Sequence, residues 1–318
     1  MLLHILHETR YDYSPAVEDA QHLAHLRPLD DASQKLLRHA LHISPSPAHQ
    51  RTLSDAHGNS RTFFSLHSHH TQLRVQADSV VQTLASATPQ PLASAPWEQV
   101  REQLRYQAAA SPQPASPFVF DSPGLPHHAE FAQFAQPSFR PGRPIADAAW
   151  DLMLRIARHM RYESLSTDVA TPALRALRQG KGVCQDFAHI LIACCRSLGL
   201  AARYVSGYLL TTPPPGQSRL IGGDASHAWA SVYCPLAGSG GRAGAAQAGF
   251  WLDLDPTNSR QPGADYVTLA RGRDFLDVSP LRGVIHGGAR HVLSVAVTVR
   301  EIGLDEAGLE HERPRPPS

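Results

Sequence analysis

Residues 180–195, GKGVCQDFAHILIACC, decide how this chain folds, because a glycine-rich turn leads there into a strongly apolar helix. Apolar side chains recur at three- and four-residue spacing and form two stripes. The first stripe holds Phe187, Ile190, Leu191, Cys194 and Leu198, and the second holds Ala188, Ile192 and Cys195. A helix that is apolar on most of its circumference lies in the centre of a domain. Gly199 ends the helix, so the rest of the chain is expected to pack around it.

Cys184 stands where the turn becomes this helix. The first turn of a helix carries unpaired N–H groups and a partial positive charge, which favour a thiolate over a thiol. The same N–H groups can face the oxyanion of a tetrahedral intermediate. Gly180 and Gly182 allow backbone to approach a substrate closely. The position indicates a nucleophile, and the alternative interpretation is a small apolar side chain packed at the start of a helix.

A second segment, DASHAWASVYC at residues 224–234, predicts a strand that carries a histidine. Alternate residues share one face of a strand, which groups His227 with Trp229, Ser231 and Tyr233. A histidine at the start of a strand, among small residues, can present its ring to a neighbouring element. The alternative is a structural histidine whose hydrogen bonds are satisfied within the fold.

A third segment, FWLDLDPTN at residues 250–258, predicts a strand with acidic side chains. Trp251, Asp253 and Asp255 share one parity, and Pro256 ends the strand. Acidic residues are unfavourable in strands, so two of them at alternate positions indicate a function. One carboxylate could orient an imidazole while the other ring nitrogen meets a thiol. The alternation alone does not choose between Asp253 and Asp255.

The remaining chain divides by composition into four parts. Residues 1–85 predict a small antiparallel β module, because apolar residues alternate there and the turn at residues 55–59 separates two such runs. Residues 86–143 are rich in Pro, Ala, Ser and Gln and predict a connector with one short helix, either free or wrapped over the surface. Residues 144–300 predict a catalytic core that ends in an alternating strand, and residues 301–318 predict a tail.

The core prediction rests on further periodic segments. Pro144 suits the first turn of a helix, and apolar residues follow it at helical spacing up to Met160. Strand-like runs follow the central helix at residues 202–210, 227–233 and 250–255, with a Gly/Ala-rich loop between the last two.

Composition excludes several classes of protein. The chain has 318 residues, of which 42% are hydrophobic, and its net charge is +1 from 29 basic and 28 acidic residues. That balance favours neither a nucleic acid nor a membrane as partner. The N-terminal sequence lacks the apolar run of a signal peptide, so we predict a cytoplasmic protein. Four cysteines without a C-x-x-C pair and 19 scattered histidines predict no disulfide framework, no metal site and no cofactor.

The three segments, taken in order, resemble the transglutaminase-like superfamily, whose core shares the papain-type arrangement. The family patterns Gly-x-Cys-x-Asp, His-Ala-Trp and Trp-x-x-x-Asp-Pro-Thr are matched here by residues 182–186, 227–229 and 251–257. ARYVSGY, from residue 202, is similar to the family's strand after the nucleophile helix. HETRYDYSPAV, from residue 7, with the later SDAHGN, resembles the β module that precedes the core in bacterial members.

The resemblance implies an α+β fold, with an N-terminal antiparallel β module followed by a papain-like core in which the nucleophile helix packs against an antiparallel sheet. It also implies a Cys184–His227–Asp255 triad that acts on a carbonyl through a thioester. The backbone N–H of Cys184 would form half of the oxyanion hole. Tyr162 is a candidate for the other half, and Asp186 is expected to cap the helix or brace the site.

Two further expectations concern the cleft and the reaction. Trp229 and Trp251 are expected to lie in the core or in the cleft wall. Three functions are compatible with the triad: hydrolysis of a peptide or amide bond, transglutamination with an amine acceptor, and a catalytically silent binding module. We expect a peptide or protein as substrate and water as the usual acceptor, because an amine competes with water only when the site positions it.

Overall fold

The computed structural model describes residues 1–84, 94–106, 113–164, 166–211, 226–237, 249–288 and 290–306. Its N-terminal part is an antiparallel sheet built around one long strand. The strands are β1 (Leu2–Ala24), β2 (Gln34–Ser44), β3 (His49–Ser54), β4 (Ser60–Leu66) and β5 (His70–Thr83). They lie in the order β2-β5-β1-β4-β3. The alternation along β1 buries Leu3 and Ile5 on one face, which confirms the predicted β module.

The described part of the predicted connector is folded. It forms α1 (Trp97–Leu104) and α2 (Ala129–Ala135), with single 3₁₀ turns at Ser116–Phe118 and Gln136–Ser138. Large aromatic side chains from this stretch are buried in the main core: Trp97, Phe118, Phe131 and Phe139. Because these aromatic side chains are buried, the described part of residues 86–143 packs on the core and is not a free linker. The Pro-, Ala- and Ser-rich composition of the stretch did not indicate this packing.

The helical layer continues with α3 (Ile145–His159), β6 (Arg161–Tyr162), α4 (Ala173–Gln179), β7 (Lys181–Gly182) and α5 (Cys184–Ser197). α3 begins directly after Pro144, as expected for a residue that lacks an N–H. Every residue of α5 from Asp186 to Arg196 is buried, which confirms that this helix is central. Among the described residues, no helix is long and apolar enough to cross a membrane.

The core sheet is antiparallel and lies against α5. It contains β8 (Ala202–Leu209), β9 (Ser226–Pro235), β10 (Gly249–Leu254) and β11 (Tyr266–Gly272), in the order β10-β9-β8-β11. Ala228, Ala230 and Val232 of β9 join α5 in the main apolar cluster. The bounds of β8, β9 and β10 follow the predicted runs closely, whereas β11 was not predicted.

The last elements return to the first sheet. α6 (Phe275–Val278) is followed by β12 (Leu281–Gly287) and β13 (Arg290–Glu301), and both strands pair with β1. Leu3 lies opposite Glu301, and Ser14 lies opposite Arg290. The sequence grouped residues up to 300 with the core, but the hydrogen bonds of β12 and β13 complete the N-terminal sheet. Most of the predicted tail, residues 307–318, lies outside the described residues.

Candidate active site

The turn before α5 is fixed by backbone pairing and by one carboxylate. β6 runs parallel to β7, with Tyr162 opposite Gly182. Asp186 is buried in the first turn of α5, and its Oδ2 accepts hydrogen bonds from the Val183 N–H at 2.8 Å and the Thr167 hydroxyl at 2.6 Å. Desolvation by burial raises the pKa of Asp186. These contacts agree with the expected bracing role.

Gly182 is required at this turn because of the same carboxylate. A Cβ atom at residue 182 would lie 2.5 Å from Oδ2 of Asp186 and 2.8 Å from its Cβ. Any larger residue would therefore push Asp186 out of the position from which it caps the helix. The next turn places Cys184 as the first residue of α5, partly exposed to solvent.

Cys184 differs from the other three thiols in its exposure. Cys194, Cys195 and Cys234 are fully buried, and none of the four is in a disulfide. Burial raises the pKa of Cys195 to about 12 and that of Cys194 well above its ordinary value. Burial also raises the pKa of Cys234. A buried thiol of this kind is a poor nucleophile, because the thiolate is the reactive form.

His227 joins Cys184 to a carboxylate. It lies on β9 opposite Gly207 of β8, and its Nε2 is 2.7 Å from Oδ2 of the buried Asp255. Its side chain also hydrogen-bonds Cys184, so Nδ1 is the ring nitrogen left for the thiol. Desolvation by burial lowers the pKa of His227, but the hydrogen bonds with Asp255 and Cys184 outweigh burial and raise that pKa to about 9.

The Asp255 carboxylate is surrounded by donors. Oδ1 accepts the backbone N–H groups of Thr257 at 2.9 Å and Asn258 at 3.2 Å. Oδ2 faces His227 and also accepts Asn258 Nδ2 and the Tyr266 hydroxyl, each at 2.7 Å. Desolvation by burial raises the pKa of Asp255, but the hydrogen bonds from His227, Asn258 and Tyr266 reverse this and lower the pKa. The carboxylate can therefore stay ionised and accept a hydrogen bond from the imidazole N–H.

Sequence reasoning missed Asn258 and Tyr266. The Pro256 that follows Asp255 is a turn signal, and Asx turns commonly follow such positions, so Asn258 could have been found locally. Tyr266 reaches Asp255 only because β11 pairs with β8 in the folded sheet. No pattern in the sequence around residue 266 reports that contact.

Asp253 has a different environment from Asp255. It accepts a hydrogen bond from the Ser231 hydroxyl across the sheet and is partly buried. Burial raises the pKa of Asp253, and the nearby Arg203 opposes the rise. Asp255, not Asp253, contacts His227. The contact with His227 is thus made by the residue that follows β10, where the chain turns toward the imidazole.

The two tryptophans lie in different places. Trp229 is 1% exposed and packs edge-on against Tyr266 at 5.4 Å, so it is a core residue behind the site and not a cleft wall. Gly207 leaves room for it, because a Cβ there would lie 2.5 Å from Trp229 Cη2. Trp251 is partly exposed and packs against Phe118 at 5.3 Å, with the Arg203 guanidinium 4.0 Å from its ring centre.

Other expected features lie at or beyond the edge of what is described. Tyr162, the candidate oxyanion donor, is 54% exposed on β6 beside the nucleophile turn. The predicted Gly/Ala-rich loop falls almost entirely in residues 238–248, which lie outside the described residues. Within the described ranges, no three His, Cys, Asp or Glu side chains are grouped to hold a metal ion. Independence from metals stays a prediction.

Comparisons with known proteins identify the family. Residues 3–82 match the bacterial transglutaminase-like N-terminal region, and residues 132–256 match the transglutaminase-like superfamily. An uncharacterized protein of Mycobacterium tuberculosis is 39% identical over 303 residues, which cover 93% of this chain and 91% of that protein. The chain belongs to the transglutaminase-like superfamily, a family of thiol enzymes, and the resemblance seen in the sequence is confirmed.

Two other proteins extend the comparison. An uncharacterized protein of Mycobacterium leprae is 28% identical over 304 residues, covering 94% of this chain and 99% of that protein. A solved protein described as a candidate cysteine protease of Cytophaga hutchinsonii has a TM-score of 0.64 at 19% identity, covering 95% of this chain and 92% of that chain. The likeness shows the fold: an α+β molecule with an N-terminal antiparallel sheet and a transglutaminase-like core.

Proposed function

We propose that this protein is a cysteine peptidase or amidase that hydrolyses a peptide or amide bond through a thioester. The observation that carries the proposal is the position of His227, which bonds Asp255 at 2.7 Å on one side and Cys184 on the other. Nucleophile, base and orienting carboxylate thus follow one another in the order that triad catalysis requires.

Acylation uses each of these groups once. His227 takes up the proton of Cys184, and Sγ attacks the substrate carbonyl carbon. When the tetrahedral intermediate collapses, the C–N bond breaks and the imidazolium gives its proton to the leaving amine. Asp255 holds the ring through Nε2 and stabilises the imidazolium. The product left on the enzyme is a thioester.

Deacylation reverses the proton transfers. His227 removes a proton from water, the hydroxide oxygen attacks the thioester carbonyl, and the C–S bond breaks to release a carboxylic acid and the thiol. The backbone N–H of Cys184, the first residue of α5, is our candidate for one oxyanion donor. Tyr162, exposed beside Gly182, is our candidate for the second donor.

Water is the acceptor we favour. An amine competes with water, present at roughly 55 M, only where a shielded channel positions it. Aromatic side chains would suit such a channel, but Trp229 is buried behind the site and one face of Trp251 is covered by Arg203. Trp229 therefore cannot line a lysine channel, and Trp251 could offer one face at most, which supports hydrolysis.

The test is product partitioning from a peptide library, read by mass spectrometry with and without a primary amine. We expect hydrolysed products in both reactions, lost in Cys184→Ser and retained in Cys194→Ala, the matched cysteine control. If amine adducts are the main products at low millimolar amine, the proposed hydrolase function is wrong and the protein is a transglutaminase. If the wild-type protein yields neither product and forms no thioester, both catalytic functions are wrong and the protein is a silent binding module.

The remaining proposals concern partners and location. We expect a peptide or protein substrate, because the attacked group is an amide carbonyl. The near-neutral net charge of +1 gives no reason to propose a nucleic acid or a membrane surface as partner. A cytoplasmic location stays a proposal from the sequence, and fractionation of cells that produce the protein would test it.

A further inference from the structure

We infer that Tyr266 is a positioning residue for the Asp255 carboxylate, and that the N-terminal sheet holds Tyr266 in place through two side-chain amides bonded to β11. The inference rests on the proposed function, because it assigns a role within the same triad. It makes the N-terminal sheet a part of the catalytic machinery and not a separate module.

Tyr266 has the contacts that this role requires. Its hydroxyl donates to Oδ2 of Asp255 at 2.7 Å, the same oxygen that faces His227. The side chain is 5% exposed, so the hydrogen bond is shielded from water. Its ring packs edge-on against Trp229 at 5.4 Å, and the Arg260 guanidinium lies 4.7 Å from its centre. A rigid, buried hydroxyl fixes the orientation of the carboxylate, and the carboxylate fixes the ring of His227.

β11 needs support because it is the edge strand of the core sheet. One edge pairs with β8, and the other edge carries backbone groups that must bond elsewhere. Gln34, a buried residue at the start of β2, bonds one position on that edge twice. Its Nε2 donates to the Thr268 carbonyl at 2.9 Å, and its Oε1 accepts the Thr268 N–H at 2.7 Å.

Asn59 repeats this arrangement three residues further along β11. Its Nδ2 donates to the Arg271 carbonyl at 2.7 Å, and its Oδ1 accepts the Arg271 N–H at 2.7 Å. Asn59 is fully buried and is oriented by Asp55, whose Oδ2 accepts the same amide at 2.8 Å. Two carboxamides from the N-terminal sheet therefore replace the strand that would otherwise cover this edge.

Further contacts hold the same edge. The Leu29 N–H donates to the Thr268 carbonyl at 3.1 Å, and the Thr83 hydroxyl donates to the Ala264 carbonyl at 2.6 Å, two residues before Tyr266. Thr268 is two residues after Tyr266. The N-terminal part of the chain thus forms hydrogen bonds with the backbone on both sides of Tyr266. It can therefore affect the position of Asp255 although it does not contact Asp255.

The charged and titratable groups that face Asp255 come from three places. His227 lies on β9, Tyr266 lies on β11, and Arg260 interacts with Asp255 from the turn between β10 and β11. Asp265 pairs with Arg260 at 2.5 Å. The Tyr266 hydroxyl is one of the donors that lower the pKa of Asp255 against the effect of burial, so its removal raises that pKa.

The test compares Tyr266→Phe with Tyr208→Phe. Tyr208 lies on the neighbouring strand β8 and is also buried at the boundary with the N-terminal sheet. Its hydroxyl forms a hydrogen bond with Nδ1 of His7 on β1 at 2.8 Å. The control therefore loses a comparable buried hydrogen bond that does not reach the triad. We measure the pH dependence of Cys184 alkylation by iodoacetamide, together with kcat and KM for a cleaved peptide.

For Tyr266→Phe we expect kcat to fall roughly tenfold with little change in KM, since one hydrogen bond to a charged group is lost. The acid limb of the alkylation profile should move to higher pH. Tyr208→Phe should leave both readouts unchanged. If the two variants behave alike, the positioning role is wrong although the proposed function stands. A wild-type Cys184 that reacts like an ordinary exposed thiol, without product, overturns the proposed function itself.

The role of the N-terminal sheet is tested with Gln34→Leu, which removes both bonds to Thr268, and with the milder Gln34→Glu, which keeps the acceptor for the Thr268 N–H. Both variants should move the acid limb in the same direction as Tyr266→Phe. Combined with Tyr266→Phe, neither should move it further, because the sheet acts through Tyr266. Additive shifts, or no shift in Gln34→Glu with the fold intact, overturn this part of the inference.

Discussion

Single side chains set the reactivity of this site, and the four thiols show how. Cys184 is partly exposed at the start of α5 beside His227, whereas Cys194, Cys195 and Cys234 are buried. Burial raises the pKa of each of these three, which suppresses their thiolates. The chain thus offers iodoacetamide one thiol that is both accessible and placed next to a base.

The first prediction follows from this contrast. Mild treatment with iodoacetamide should label Cys184 before the other cysteines, and Cys184→Ser should abolish the early labelling. Peptide mapping by mass spectrometry gives the site directly. Early labelling of Cys194, Cys195 or Cys234 in the native protein would remove Cys184 from the role of nucleophile.

The second prediction compares the catalytic effects of two aspartates, Asp253 in β10 and Asp255 directly after it. Asp255→Asn should lower kcat strongly, although by less than the roughly 10⁴-fold seen when the orienting carboxylate of a serine triad is replaced. Asp253→Asn should keep kcat near the wild-type value, because Asp253 bonds Ser231 and does not touch His227. Steady-state kinetics of both variants measures the difference. A larger loss in Asp253→Asn would reverse the assignment.

The third prediction concerns pH. Burial lowers the pKa of His227, but bonds with Asp255 and Cys184 raise it to about 9, above its ordinary 6.5. The stability gained from the imidazolium is therefore complete below about pH 6.5 and is lost as pH rises through about 9. The difference in free energy of unfolding between wild type and His227→Gln should shrink over that window. Urea titrations at several pH values measure it, and a constant difference would contradict the assignment.

At the scale of elements, the sequence predicted those whose own periodicity is strong. α3 and α5 carry stripes at helical spacing, and β8, β9 and β10 lie within a few residues of the predicted runs. β11 was not predicted, because its short apolar run has no distinctive motif beside it. Its formation as a strand depends on pairing with β8. The positions of Cys184, His227 and Asp255 could be predicted from motifs, whereas the contact of Tyr266 with Asp255 required the folded sheet.

The fourth prediction tests the start of α5. Asp186→Ala removes the acceptor for the Val183 N–H and should lower the free energy of unfolding by about 0.5–2 kcal/mol, as expected for a lost cap. Asp186→Asn keeps an acceptor oxygen and should cost less, since burial already raises the pKa of this carboxyl. Thermal melts of the two variants compare them. Equal losses would mean that the negative charge, not the hydrogen bond, matters here.

At the scale of the whole molecule, the two ends of the chain share one sheet. The alternation of residues 291–299 predicted a strand, but a period of two does not name its partner. The partner is β1, and the pairing of Leu3 with Glu301 joins residues at opposite ends of the described chain. The pairing of the two chain ends could not be predicted from the sequence, because it depends on contacts of very large sequence separation.

The fifth prediction uses that closure. Truncation after Gly288 removes β13 and exposes one edge of β1, so the protein should melt at a lower temperature and aggregate more readily. Truncation after Glu306 removes only residues of the predicted tail and should leave the melting temperature unchanged. Thermal melts with light scattering measure both effects. An unchanged melt after loss of β13 would show that the sheet does not need its last strand.

The pairing of β1 with β13 also has a consequence for synthesis on the ribosome. β1 emerges before every other described strand, yet its partner at Glu301 is made almost 300 residues later. At a rate of synthesis of about 5–20 residues per second, one edge of β1 stays unpaired for on the order of 15–60 s before β13 is made. The nascent N-terminal sheet therefore lacks this strand until Glu301 has been made, and β1 must stay soluble with one edge unpaired during that time.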